Sequence, residues 1–300
     1  MPTIYLAPRF LEHELDAELE RRAVAVRERV GRLFFCDGDA EPVIWAADVW
    51  PDVVEAPVES ISKAAALLRE YRIPWVHHGE HHHRRGELIA GQVRRLGVER
   101  LHFGAPLPAQ PWGAFCLPSP DRMWLSTAPT ARVPLGEAEF HENKTEPPSR
   151  AYLKLWEAMT VHGARPARGA RVLDLGAAPG GWTWALVQAG CHVIAVDKAP
   201  LAHALMHHRH VDYRAQSAFG LEPDEAGDVD WLFSDIICYP ERLLALVRRW
   251  LDSGRVTNFL CTVKFQGATD WDAIDAFLEL PGSRLVHQHH NKHELTWILD

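Results

Sequence analysis

The 300-residue sequence has no apolar run approaching the roughly 18–20 residues needed to span a bilayer. Its opening stretch, Met1 to Phe10, lacks a basic segment followed by a long apolar one. Neither a membrane span nor a signal peptide is therefore expected. Cysteine is scarce. Cys36, Cys116, Cys191, Cys238 and Cys261 are scattered, odd in number and never spaced as Cys-x-x-Cys. That excludes a zinc knuckle and a disulfide framework, and fits reduced thiols in a cytoplasmic protein. Positive charge is not in excess: 32 Lys and Arg face 40 Asp and Glu, for a net charge of -8. A general polyanion-binding coat is excluded, whereas a local basic groove is not. Internal repeats and long low-complexity tracts are absent. Two nucleotide signatures are also missing. No Gly-Lys-Ser/Thr follows a glycine-rich turn, and Gly176 to Gly181 does not fit Gly-x-Gly-x-x-Gly.

What is present is ordinary globular material, 47% hydrophobic and 24% charged, enough for one large domain or two smaller ones. The N-terminal part reads as α+β. Strands are expected over 3–7 and 32–36, with helices over 11–30, 60–71 and 86–96; Ser60 is placed to cap the second helix. Prolines and tryptophans concentrate between 105 and 148, which predicts a linker with irregular or edge-strand structure. The C-terminal half alternates differently. Strands over 171–175, 192–196, 211–214, 229–234 and 257–263 alternate with helices over 181–188, 201–208, 241–251 and 271–280. Two last strands are expected over 284–289 and 294–299. This pattern predicts a mostly parallel sheet covered on both faces, with an antiparallel hairpin at one edge. The domain division expected is 1–146 and 147–300.

Residues 172–182 read Val-Leu-Asp-Leu-Gly-Ala-Ala-Pro-Gly-Gly-Trp, a strand feeding a ligand loop. Gly176, Gly180 and Gly181 allow a sharp turn and close backbone approach, and Pro179 stiffens it. Asp174 leads the loop, which suits a cationic ligand with an amino-acid end. Asp197 ends the next strand, placed to accept hydrogen bonds from ribose hydroxyls. Together these favour S-adenosylmethionine (AdoMet) over a phosphate or dinucleotide ligand.

From about Pro147 onward the sequence resembles the FtsJ-like RNA ribose 2'-O-methyltransferases, and within them the RlmM-like branch that acts on large-subunit ribosomal RNA. The matching stretches are Pro148 to Ala158, Asp174 to Thr183, Val196-Asp197, Ser234-Asp235, Lys264 and His293 to Thr296. The resemblance implies a Rossmann-like class I methyltransferase sheet, here behind an N-terminal α+β domain. It also implies AdoMet as cofactor and RNA, ribosomal in the first instance, as partner. A Lys-Asp-Lys-Glu catalytic tetrad falls on Lys154, Asp235, Lys264 and Glu294. Cofactor contacts fall on Asp174, Gly176, Ala178, Pro179, Gly180, Gly181, Trp182, Asp197, Ser217 and Asp235. Such a tetrad suits the chemistry, since a ribose hydroxyl is a poor nucleophile and a base must take its proton as methyl transfer proceeds in line. Lys264 is the candidate base. A free lysine is protonated at neutral pH; a neighbouring cation lowers its pKa and neighbouring carboxylates raise it.

Two departures stand out. Ser217 occupies the position where the RlmM-like branch has an acidic contact to the adenine amino group. The N-terminal part is shorter than that branch's THUMP-containing region and matches it only loosely, at Arg9 to Glu14. A role for it in binding RNA or substrate is an expectation only.

Other clusters stand outside the motif. The stretch from His77 to Arg85 holds five histidines, and reads as an exposed loop or, with Arg94 and Arg95, as a basic RNA-facing patch. Its spacing matches no defined ligand set, so no metal is expected. His287, His289, His290 and His293, around Glu294, read mostly as surface residues. Tyr239-Pro240 differs from the Asn/Asp-Pro-Pro-Tyr motif of amino-directed methyltransferases, favouring an oxygen acceptor. The rival readings are methylation of another acceptor, or an RNA-binding assembly factor without activity.

Overall fold

The computed structural model describes residues 1–97, 99–109 and 111–300. The chain divides into two compact units, Met1–Glu139 and Phe140–Asp300.

The first unit contains two four-stranded sheets. One is ordered β2-β3-β1-β4, from β1 (Thr3–Leu6), β2 (Val26–Val30), β3 (Leu33–Cys36) and β4 (Asp48–Trp50). The other is ordered β5-β8-β7-β6, from β5 (Val54–Pro57), β6 (Trp75–His77), β7 (Gly113–Ser119) and β8 (Arg122–Ser126). Helices α1 (Glu12–Arg21), α2 (Ile61–Glu70) and α3 (His83–Ala90) complete it. Apolar residues at helical spacing, Ile61, Ala64, Ala65 and Leu68, seat α2 on Trp75, Phe115 and Leu125. The Ser60 side chain accepts from the Lys63 N–H and caps that helix as expected. A second cluster joins Ile4, Leu6 and Trp50 to Ala114, Cys116 and Trp124.

Three expectations for this unit are corrected. The helix over 11–30 ends at Arg21, where Ala23 turns into the left-handed region and the β-branched Val24, Val26 and Val30 favour β2. The proline-rich linker contains the β7–β8 hairpin in the interior of a sheet; Pro118 sits where the register shifts between Cys116 and Ser119, so the ladder tolerates it. The helix over 86–96 begins earlier and stops at Ala90, capped by Gly91.

The second unit is a seven-stranded sheet ordered β11-β10-β9-β12-β13-β15-β14. Its strands are β9 (Arg171–Leu175), β10 (His192–Asp197), β11 (Val211–Ala215), β12 (Val229–Ser234), β13 (Val256–Lys264), β14 (Ser283–Val286) and β15 (Glu294–Leu299). The first five are parallel, while β15 runs antiparallel to both β13 and β14. Helices α4 (Tyr152–Val161), α5 (Gly181–Gln188), α6 (His203–Met206), α7 (Pro223–Ala226), α8 (Pro240–Asp252) and α9 (Trp271–Leu278) connect them. The Rossmann-like sheet and the edge hairpin are as expected. The helix over 201–208 shrinks to the single turn of α6, in a histidine-rich stretch with weak helix propensity. Strand order reverses at β9, which has β10 on one side and β12 on the other. Ligand sites in open parallel sheets lie at the carboxyl ends of the strands flanking such a point.

Candidate active site

The carboxyl end of β9 opens into the glycine loop. Gly176 and Gly180 take φ of 78° and 113°, values that favour glycine. A side chain at Gly176 would strike Ile236, and one at Gly181 would strike the Ser149 hydroxyl. Asp197, at the end of β10, accepts from the Ala178 N–H at 3.0 Å and the Ala199 N–H at 2.9 Å. It is only partly buried, so its remaining lone pairs are accessible to a ligand. Asp174 is fully buried and accepts from the Thr183 hydroxyl at 2.6 Å. Burial pushes its carboxyl up to about 7, against the pull of Thr183. Asp174 therefore ties β9 to α5 beneath the loop. Trp182 is likewise inside, its indole N–H donating to the Ala151 carbonyl at 2.9 Å. Pro179, after a cis bond from Ala178, accepts from the Ala202 N–H through its carbonyl. Ser217 lies partly buried just past β11, its carbonyl accepting from the Gly220 N–H.

On the other side of the reversal point four charged side chains meet. Lys154 projects from α4, Asp235 follows β12, Lys264 ends β13 and Glu294 begins β15. Antiparallel pairing sets Lys264 directly opposite Glu294. The Lys154 Nζ lies 3.1 Å from Asp235 Oδ1 and 2.7 Å from Glu294 Oε1. The Lys264 Nζ lies 2.9 Å from Asp235 Oδ1 and donates to the Asp235 carbonyl at 2.6 Å. Burial opposes the Lys154 charge, but Asp235 and Glu294 outweigh it and hold its pKa above the usual lysine value. Burial likewise opposes the Asp235 charge, and Lys154 and Lys264 together hold that carboxyl below 3.8. The result is an alternating cation–anion chain, mostly shielded from water, at the mouth of the sheet.

Glu157 is a member of the site that the sequence does not announce. It sits one turn after Lys154 on α4 and is 2% exposed. Its carboxylate accepts from the backbone N–H of His289 at 2.7 Å and of His290 at 3.0 Å. The same helix thus supplies Lys154 and grips the segment leading into Glu294. Thr296 completes the brace, accepting from Asn291 and donating to Gln288. A glutamate inside the apolar run Leu153, Leu155, Trp156, Met159 is the available signal. The neighbouring histidines are partly buried rather than surface groups, because this segment is pulled onto α4. Burial drives His287 down to about 4.

A family model of the FtsJ-like methyltransferases matches residues 147–248. Three proteins named ribosomal RNA large subunit methyltransferase M are similar over more of the chain. The protein from Alkalilimnicola ehrlichii is 33% identical, covering 68% of this chain and 57% of its own length. That from Aromatoleum aromaticum is 29% identical, covering 83% and 66%. That from Xanthomonas oryzae is 30% identical, covering 90% and 88%. The chain belongs to the ribosomal RNA large subunit methyltransferase M family. It spans less than two thirds of the length of the first two relatives and most of the third. Among solved structures, a TehB-like SAM-dependent methyltransferase from Corynebacterium glutamicum overlaps 49% of this chain and 85% of its own, at 19% identity and a TM-score of 0.35.

Proposed function

We propose that this protein transfers a methyl group from AdoMet to a ribose 2'-hydroxyl of large-subunit ribosomal RNA, in the cytoplasm. The observation that carries this reading is the meeting of Lys154, Asp235, Lys264 and Glu294 beside the glycine loop. Family membership supports it. The residues around the loop fit AdoMet. The accessible Asp197 suits ribose hydroxyls, Gly176 and Gly180 leave backbone uncovered at the two turns of the loop, and Asp235 provides a negative edge for a sulfonium. Ser217 or the adjacent Gln216 hydrogen-bonds the adenine in this reading. Bound AdoMet supplies an electrophilic methyl group. Every other task falls to the protein's own side chains.

Lys154, held protonated between two carboxylates, cannot take a proton. Asp235, with its depressed pKa, is a weak base. Lys264, which meets one carboxylate where Lys154 meets two, is the lysine that accepts the hydroxyl proton, and it does so as the neutral amine. Asp235 and Glu294 fix the two lysine side chains and orient the hydroxyl. The first unit and the basic residues from Arg84 to Arg95 contribute to RNA binding in this reading. No helix among the described residues is long and apolar enough to cross a membrane.

The test is transfer of labelled methyl from AdoMet into large-subunit RNA that lacks the modification. Label should appear in dinucleotides that resist alkaline cleavage, since a methylated 2'-oxygen cannot attack the adjacent phosphate. Lys264→Ala should bind AdoMet normally and lose about 10²–10⁴-fold in turnover. Label on a base or on small molecules, or near-normal turnover of this variant, defeats the reading.

A further inference from the structure

The histidine-rich segment of the first unit is reorganised by the fold. His77 is on β6 with its side chain fully buried, while His83 opens α3 and is exposed. Glu87 follows His83 by four residues, so both project from one side of α3. The His77 Nδ1 lies 2.9 Å from Glu87 Oε1. The rings of His77 and His83 stack at 5.8 Å with 24° between their planes. One ligand atom from each of the three residues falls within 4.8 Å of the other two. Two glycines make this possible. A side chain at Gly79 would strike His83, and one at Gly86 would strike His77.

We propose that His77, His83 and Glu87 form a zinc-binding site that ties β6 to α3. Tetrahedral zinc with Zn–N and Zn–O bonds of roughly 2.0–2.1 Å sets its ligands about 3.3 Å apart. The His77–Glu87 pair is already within a few tenths of that separation. His83, on an exposed position, closes the remaining gap by a side-chain rotation. Zinc replaces the hydrogen bond between His77 Nδ1 and Glu87, with the single proton of the neutral ring carried on Nε2. The other Glu87 oxygen stays with Arg95, 3.0 Å away, which orients the carboxylate from outside. Two imidazoles and one carboxylate suit zinc, with water as the fourth ligand.

The test uses the untagged full chain, dialysed against zinc chloride and then metal-free buffer, with bound zinc measured by mass spectrometry. Roughly one zinc per chain is expected, with a zinc-dependent rise in melting temperature. His83→Ala and Glu87→Gln change partly or fully exposed side chains and should fold normally by circular dichroism. Each should lower zinc affinity at least tenfold. His210→Ala, in the unrelated His192–His210 pair, should leave it unchanged. No uptake by the wild type, or unchanged uptake in both His83→Ala and Glu87→Gln, overturns the proposal.

Discussion

Replacing Lys154 by methionine removes the cation that Asp235 and Glu294 share while keeping most of the side-chain volume. At an effective dielectric of about 20, a unit-charge pair about 3 Å apart is worth roughly 5 kcal/mol before desolvation. The three side chains are 14%, 17% and 7% exposed, so solvent screens them little. Breaking such a buried arrangement by removing one partner costs about 3–5 kcal/mol, because the other charges stay buried. The loss should depend on pH. Asp235 is held below 3.8 in the folded protein. Its contribution to wild-type stability is therefore present above that value and disappears as pH falls through the folded pKa. Without Lys154 much of that contribution is gone at the outset. The gap between wild type and variant should be widest near neutral pH and should narrow as the medium is acidified below 3.8. Lys154 has a raised pKa, so its contribution is complete below 10.5 and lost only when pH rises through the folded value. Urea denaturation from pH 3 to 9 measures the acid-side change, and no loss is expected on the alkaline side of that range because Lys154 stays protonated there. Lys154→Met/Glu294→Gln should recover part of the stability and none of the turnover. A loss below about 1 kcal/mol at pH 7, the range of exposed pairs, or one that does not vary with pH, would refute the reasoning.

Glu157→Gln keeps the side-chain shape but gives up one of the two accepting oxygens, a constant cost, together with the titration. Burial pushes the Glu157 carboxyl up to about 8, while its value in the absence of burial is 4.5. Between those values the folded protein holds a proton that the unfolded chain has released, so wild-type stability falls as pH rises. The variant should gain stability relative to wild type from pH 5 to pH 8 in denaturation curves; a constant difference would count against a titrating Glu157. Ile237 and Tyr239 are 80% and 62% exposed in the loop just beyond Asp235. In the proposed reaction Tyr239 stacks on a nucleobase, a contact worth about 1–3 kcal/mol. Tyr239→Ala should raise KM for RNA roughly tenfold with little change in kcat, and Tyr239→Phe should behave as wild type; equal effects of both variants would exclude stacking.

The C-terminal sheet is legible in the sequence because each strand is a short apolar run ending in a distinctive residue. Asp197, Asp235 and Lys264 fall at strand ends on the hydrophobic pattern alone. Their convergence does not follow from that pattern. Lys154 reaches the site across a helix, and Glu294 through an antiparallel register that local sequence does not fix. The first unit is less legible. Val24, Val26 and Val30 prolong a helical-looking stretch in the sequence, but the left-handed turn at Ala23 ends the helix before them. Pro118 disguises an interior strand because the register shift that accommodates it is a tertiary feature. His77 looks exposed among polar neighbours, yet Trp75 and Phe115 carry it inside. Glu157 is inconspicuous because a glutamate on a helix is ordinarily solvated. Only the backbone of His289 and His290 explains its burial.

The pairing of Lys264 with Glu294 makes the chemistry depend on strand register. Successive side chains of β15 point to opposite faces of the sheet, so a slip of one residue would bring His293 or Leu295 to the position opposite Lys264. Such a slip would also turn each side chain toward the opposite, differently shaped face of the core, since Glu294 to Ile298 are all buried. Correct assembly of the charged cluster and correct burial of the last strand are therefore a single event. A misregistered chain would be unstable before it could be wrongly active, and the apolar residues of β15 act as the alignment check for the acid that begins it.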